Sequence, residues 1–229
     1  PIILIYYSQK KLEQVKLISI QSVKIIALFI AVLTGVISTF SNTILDLWIG
    51  NEFTELSLVL VIMLCTLSLN LGVLPLFAVN NAFNKVKWPG LITLFTGLLN
   101  ALFTYVILTT GYGFLGVALS GLIILTLKNG LFTPWYTSRI LKIDLRLLFK
   151  PMILSSVVYI AILGFGTIIQ TVWLINTWWE LIISSTIIVI ATSALIFQYA
   201  FTNKEKVTLY AFMPSALRKR LSNKLYAWK

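Results

Sequence analysis

The chain has 229 residues, no histidine, one cysteine (Cys65) and only 11% charged residues, with a hydrophobic fraction of 59% and a mean hydropathy of +0.95. Soluble domains carry roughly 25% charged residues, so this composition excludes a soluble enzyme and a disordered protein and makes lipid the natural solvent for most of the chain. An internal disulfide is excluded because Cys65 has no partner, and histidine chemistry is excluded outright.

Residue 1 is Pro1, not methionine, so the start of the gene product is expected to lie upstream. Residues 1–7 lack a basic n-region and a small-residue cleavage site, and read as the tail of an earlier hydrophobic segment, not as a signal peptide. Six stretches then reach the roughly 20 apolar residues that a membrane-crossing helix needs: 17–40, 56–79, 89–109, 114–135, 151–173 and 181–201. They are continuous and too long for the alternating strands of a membrane barrel, so the predicted fold is an all-α, six-span transmembrane bundle. Turn signals separate them: Ile49-Gly50-Asn51, Trp88-Pro89-Gly90, Gly111-Tyr112-Gly113 and Asn176-Thr177.

Charge supports the same division. Lys10, Lys11, Lys16 and Lys24 precede or open the first span; Lys85 and Lys87 follow the second; Arg139, Lys142, Arg146 and Lys150 follow the fourth. Lys204, Lys206, Arg218, Lys219, Arg220, Lys224 and Lys229 follow the sixth. The other three connections carry no basic residue, so every Lys and Arg except Lys128 falls on one side. Cytoplasmic loops favour Lys and Arg, which predicts a multi-pass protein of the cytoplasmic membrane with both ends of the chain cytoplasmic. The net charge of +11 is then a matter of topology and not a nucleic-acid surface. Trp88, Trp135, Trp173, Trp178 and Trp179 sit at span ends, as an aromatic belt requires.

The segment 203–229 has its own pattern. Pro214 can open a helix, and Leu217, Leu221, Leu225 and Trp228 then follow at helical spacing, with Arg218, Lys219, Arg220 and Lys224 off that stripe. This predicts a basic amphipathic helix on the anionic cytoplasmic leaflet; a partner-binding helix is the alternative.

Within the spans, polar residues are few. Lys128 lies about 14 residues into the fourth span, roughly 21 Å along a helix, where a lone ammonium must face the bundle, meet water or snorkel. It reads either as a cation in a substrate cavity or as a snorkelling, topology-fixing lysine, and Gly121, one heptad away on the same face, is expected to allow the close approach of a neighbour. Span one carries Lys24, Ala27, Ala31, Thr34, Gly35 and Ser38 at helical spacing, a stripe that packs another helix or lines a wet cavity. Span two carries Asn70, then Pro75, then Asn80 and Asn81; Pro75 should kink the helix, giving either a gate or a static kink held by amides. Asn100, the face Ser156, Tyr159, Gly166 and Gln170, and the pair Gly116 and Ser120 read as helix packing and inter-helix hydrogen bonds. No phosphate loop, nucleotide fingerprint, nucleophile elbow or metal-ligand cluster appears, and no acidic residue lies deep in a span. No cofactor, metal or catalytic residue is expected.

Three loop stretches resemble a known family. They are Ile44-Leu45-Asp46-Leu47-Trp48-Ile49-Gly50-Asn51-Glu52-Phe53, then Asn80-Asn81-Ala82-Phe83-Asn84-Lys85-Val86-Lys87 running into Pro89 and Gly90, and Gly111-Tyr112-Gly113-Phe114-Leu115-Gly116-Val117-Ala118-Leu119-Ser120. In this order and spacing they look like the C-terminal half of polysaccharide biosynthesis membrane proteins. Those are the O-antigen-type lipid-linked oligosaccharide flippases of the multidrug/oligosaccharidyl-lipid/polysaccharide exporter superfamily. The resemblance implies two six-helix lobes, this chain being the second. Segment 1–16 would be cytoplasmic and follow a missing N-terminal lobe, 17–202 the lobe itself, and 203–229 the basic tail. It implies no enzyme but a flippase that moves a lipid-linked oligosaccharide across the cytoplasmic membrane by alternating access. Lys24, Thr34, Asn70, Asn80, Asn81 and Lys128 are the cavity candidates, with Pro75 at a gate. Expected partners are the lipid-linked oligosaccharide, anionic lipids, the N-terminal lobe and the glycosyltransferases or polymerase of the pathway, and no nucleic acid. A multidrug and toxin extrusion-type exporter and a non-transporting scaffold of a glycan-assembly complex are the alternatives.

Overall fold

The computed structural model describes residues 2–203 and 205–206 of the chain, and the basic tail pattern from Pro214 to Trp228 lies outside them. Contacts divide the chain into two compact units, Pro1–Ile188 and Val189–Lys229. Among the described residues the structure is helical and has no strand. The short helix α1 (Ile2–Ser8) leads into α2 (Leu12–Thr39), α3 (Ser41–Trp48) and a 3-10 turn, Asn51–Leu56. There follow α4 (Ser57–Leu71), α5 (Leu74–Ala82), α6 (Lys87–Thr109), α7 (Gly113–Leu125), a π-helical turn Thr126–Phe132 and α8 (Thr133–Leu141). The last long helices are α9 (Arg146–Val172) and α10 (Trp178–Leu195), which runs into a second π turn, Ile196–Ala200.

Six stretches among the described residues are long and apolar enough to cross a membrane: Leu12–Thr39, Asn51–Ala82, Lys87–Thr109, Gly113–Leu141, Arg146–Val172 and Trp178–Ala200. They match the six sequence-predicted spans; all but the sixth extend further at their basic ends, and the second and sixth also begin earlier, at Asn51 and Trp178. The first begins at Leu12, where Lys16 pairs with Glu13 at 2.7 Å and keeps the added turn polar. The fourth runs to Leu141 and stops because Lys142 turns left-handed (φ 53°). The fifth begins at Arg146, whose N–H donates to Asp144 Oδ1 at 2.9 Å, so Pro151 lies inside the helix and does not open it. The uncharged turn between the third and fourth spans needs Gly111 (φ +85°) and Gly113 (φ +52°), a conformation open to glycine at little steric cost.

In the unit Pro1–Ile188, α2 is the hub. It packs against α9 on one side and α4 on the other; α4 also packs on α7, and α7 on α6. Apolar packing gathers at the basic ends of the spans. Val23 of α2, Val73, Leu76 of α5, and Leu148 and Met152 of α9 form one buried cluster. Ile3, Val15, Val79 and Leu141 form a second, with Tyr7 lying 4.4 Å from the Phe83 ring. Helix α6 buries none of its residues, and Leu94, Leu98, Leu102 and Tyr105 are all more than half exposed. In water such a surface would aggregate; in hydrocarbon it is at home.

The far ends of α2 and α9 are held by polar contacts instead. Ser38 Oγ and Tyr159 OH share a hydrogen bond at 2.8 Å, and Gln170 Nε2 donates to the Thr39 carbonyl at 2.6 Å. Gly35 lies under Ile162, and Gly166 lies directly under the Thr39 side chain. The small residues of α2 therefore admit α9 at close range, and the hydroxyls beside them find partners there. The α6–α7 contact repeats the pattern, with Gly116 under Ile107 and Thr104 bonded to Ser120 at 2.6 Å. Helix α10 opens on a reciprocal cap: Glu180 accepts from the Asn176 and Thr177 N–H groups at 2.9 and 3.0 Å.

In the unit Val189–Lys229, the helix continues from Val189 through the π turn. Lys206 then folds back, donating to the Gln198 carbonyl at 3.1 Å with its ammonium 5.5 Å from the Phe197 ring. Thr202 and Glu205 cap the turn between them.

Candidate functional site at the seam of the second and fourth spans

Polar side chains inside a membrane bundle are costly unless they find partners, so where they meet is informative. The second and fourth spans meet along one such seam. Span two is interrupted at Gly72 and Val73: α4 ends at Leu71, α5 restarts at Leu74, and Pro75 occupies the first turn of the restart. Proline has no N–H to give the preceding turn, so the break leaves backbone carbonyls without their helical donors. Gly72 sits where α2 crosses, and a Cβ there would stand 2.9 Å from Ala27 Cβ.

Span four is interrupted at the same depth, by the π turn Thr126–Phe132. Its cause is Pro134, in the first turn of α8, which has no N–H to offer. The ladder shifts by one residue: the Thr133 N–H reaches the Lys128 carbonyl, and Thr133 Oγ1 donates to the same oxygen at 3.2 Å. Such π insertions occur mostly as single turns and often at functional sites.

The two interruptions touch. Asn129 Nδ2, in the π turn, donates to Asn70 Oδ1, in the last turn of α4, at 2.7 Å. Further toward the basic end, Thr137 Oγ1 donates to Asn80 Oδ1 at 3.1 Å. Between these two levels Lys128 sends its ammonium to within 5.8 Å of the Phe77 ring centroid, a cation–π contact. Not every polar atom is matched. Asn129 Oδ1, Thr126 Oγ1 and Asn80 Nδ2 are buried without a hydrogen-bond partner among the described residues, although Asn129 is only 8% exposed and Asn80 only 2%. An acceptor, a hydroxyl and a donor thus remain available in one seam, and a buried polar group left unmatched costs roughly 1–3 kcal/mol.

The sequence-predicted residues divide accordingly. Asn70, Asn80 and Lys128 belong to this seam, and Pro75 lies at its break. Asn81 is exposed beside it. Thr34 is buried in α2 and donates to its own-helix Ile30 carbonyl at 2.7 Å. Lys24 is half-buried on α2, in the turn beside Val23. Ala27 and Ala31 of the same stripe are closed into helix packing. Gly121, expected to admit a neighbour on the Lys128 face, has nothing within 4 Å of where its Cβ would stand. Asn129, Thr126, Thr137 and Phe77 were not singled out from the sequence. A signal was present: Asn129 precedes Pro134 by the same interval that separates Asn70 from Pro75.

No family model and no solved structure matches the chain. It is 28% identical over 209 residues, 90% of its length, to the "uncharacterized membrane protein EpsK" of Bacillus subtilis (strain 168), and spans 41% of that protein's length. With six apolar helices and this relative, the chain is a multi-pass membrane protein built as an all-helical bundle.

Proposed function

We propose that this chain is one lobe of a flippase that moves a lipid-linked oligosaccharide across the cytoplasmic membrane for polysaccharide or surface-glycan biosynthesis. Two six-helix lobes would alternate access to a polar path between them. The observation that carries the reading is the seam of spans two and four, where Asn70, Asn129 and Lys128 gather at mid-span beside buried polar atoms left without partners among the described residues. The three family-like loop stretches support it, as does the match of this chain to less than half of a longer membrane protein. A path for a glycan needs hydrogen-bonding amides, and a carrier phosphate or pyrophosphate needs a cation; Lys128 and Lys24 are the cations proposed for it. The ends of the chain are proposed to be cytoplasmic, the basic tail to rest on anionic lipid, and the pathway's glycosyltransferases or polymerase to work beside it. The lobe is proposed to transport and to make or break no covalent bond.

The test uses the full-length protein in proteoliposomes holding a polyprenyl-pyrophosphate-linked trisaccharide, read by an impermeant lectin. Wild-type protein should expose the sugar faster than protein-free vesicles. Lys128→Gln, at equal abundance, should slow exposure by about tenfold or more, equivalent to about 1.4 kcal/mol. No exposure above protein-free vesicles by wild-type protein refutes the reading. Unchanged exposure by Lys128→Gln removes Lys128 from the path.

A further inference from the structure

The interruptions of spans two and four are built alike. In span two the sequence reads Asn70-Leu71-Gly72-Val73-Leu74-Pro75, and in span four Asn129-Gly130-Leu131-Phe132-Thr133-Pro134. Each begins with asparagine, contains a glycine and ends with proline. Each proline is the second residue of a helix that restarts after the break, and the two restarted helices, α5 and α8, are both nine residues long. The asparagines of the two segments are bonded to each other at 2.7 Å. On the entry side of the breaks α4 packs on α7, and on the exit side α5 packs on α8. The exit pair is also joined by Thr137 and Asn80 at 3.1 Å, and by Val79 and Leu141 in one apolar cluster.

From these observations we infer that the two Asn-to-Pro segments are a single double hinge, and that α5 and α8 swing together as one arm against α9. Helices bend sharply at prolines and π turns because a ladder hydrogen bond is missing there. A break in one span alone would shear it past its neighbour. Two breaks at one depth, clasped by Asn70 and Asn129, let both exit halves turn without parting. The unmatched Asn129 Oδ1, and Thr126 Oγ1 in the turn that leads into it, fit a hinge, since a joint that re-forms hydrogen bonds in a second position needs polar atoms not committed in the first. In the present structure the arm lies against α2 and α9 through Leu76, which joins Val73 of the break beside Val23, Leu148 and Met152.

A bend of about 20° over nine residues rising about 1.5 Å each moves the arm's tip by about 5 Å. The hinge is read without substrate, so its failure is distinct from a failure of the transport reading. Full-length protein with Cys65 and every cysteine outside this chain replaced by serine is spin-labelled in lipid nanodiscs at three pairs: Asn81 with Ile153, Arg139 with Ile153, and Asn81 with Arg139. Each is an exposed position, on α5, α8 or α9. Electron–electron distance measurement should give two populated distances, about 5 Å apart, for both pairs that include Ile153. The Asn81–Arg139 distance should stay single. Asn129→Leu, which removes the clasp from span four, should shift the populations of the Asn81–Ile153 pair in span two as much as those of the Arg139–Ile153 pair. Single distances for every pair, a response in one arm only, or a changing Asn81–Arg139 distance would each overturn the inference.

Discussion

Replacing Gly166 by alanine tests the α2–α9 contact directly, because a Cβ at this position collides with the Thr39 side chain. Gly164, two residues earlier on the same helix, is the internal control: it is exposed, and nothing lies within 4 Å of its Cβ position. Both substitutions gain the same helical preference of alanine over glycine, up to about 1 kcal/mol. Only Gly166→Ala adds overpacking, which costs about 1–3 kcal/mol in a closed contact. The common gain cancels, so Gly166→Ala should be less stable than Gly164→Ala by about 1–3 kcal/mol, or about 5- to 150-fold in the unfolding constant. Sodium dodecyl sulfate titration of the purified protein in mixed micelles, followed by tryptophan fluorescence, measures the difference. Adding Thr39→Ala removes Cγ2 and Oγ1, the colliding atoms, and should restore most of the loss. It also removes the 2.9 Å bond from Thr39 Oγ1 to the Gly35 carbonyl, an effect of about 0.6 kcal/mol for a typical membrane hydrogen bond. Equal stabilities for the two alanine variants, or no rescue by Thr39→Ala, would show that α9 does not meet α2 through Gly166.

Two further outcomes are expected. A double-mutant cycle of Thr104→Ala and Ser120→Ala, read by the same titration, should give a coupling of about 0.6 kcal/mol and no more than about 1.7, and zero coupling would dissolve the 2.6 Å contact between α6 and α7. In intact cells carrying the Cys65→Ser protein, a cysteine at Glu52 should react with an impermeant maleimide and one at Lys142 only after permeabilisation; the reverse pattern would invert the proposed orientation.

The spans were legible in the sequence because hydrophobic length and loop charge report the same division independently. The two faces that meet between α2 and α9 were legible one by one, Ala27, Ala31, Thr34, Gly35 and Ser38 on the first span and Ser156, Tyr159, Gly166 and Gln170 on the fifth, because each helix is continuous there; their pairing was not. The span boundaries were less legible. A turn such as the one at Lys16 stays helical beyond the apolar stretch because Glu13 and Lys16 satisfy each other outside it. The seam of spans two and four was only half legible, and the reason is geometric. Face assignments assume a uniform helix, and the π turn at Thr126–Phe132 shifts the register part-way along span four. Lys128 and Gly121 are one heptad apart in sequence, yet the glycine faces open space while the lysine reaches Phe77. Asn129 was hidden for the same cause, since its partner Asn70 lies on a helix that is itself broken two residues later.

The contact between Ser38 and Tyr159 joins residues 121 positions apart, and that between Thr39 and Gln170 spans 131. On a ribosome adding about 5–20 residues per second, the first partner emerges about 6–25 s before the second. For that interval α2 stands in or beside the insertion machinery with the polar residues of its far end unmet, while α4 can already pack against it. Biogenesis of this lobe therefore has a waiting step that ends only when the fifth span arrives. A chain stalled or truncated before Tyr159 presents Ser38 and Thr39 to lipid, which makes it a natural substrate for membrane quality control.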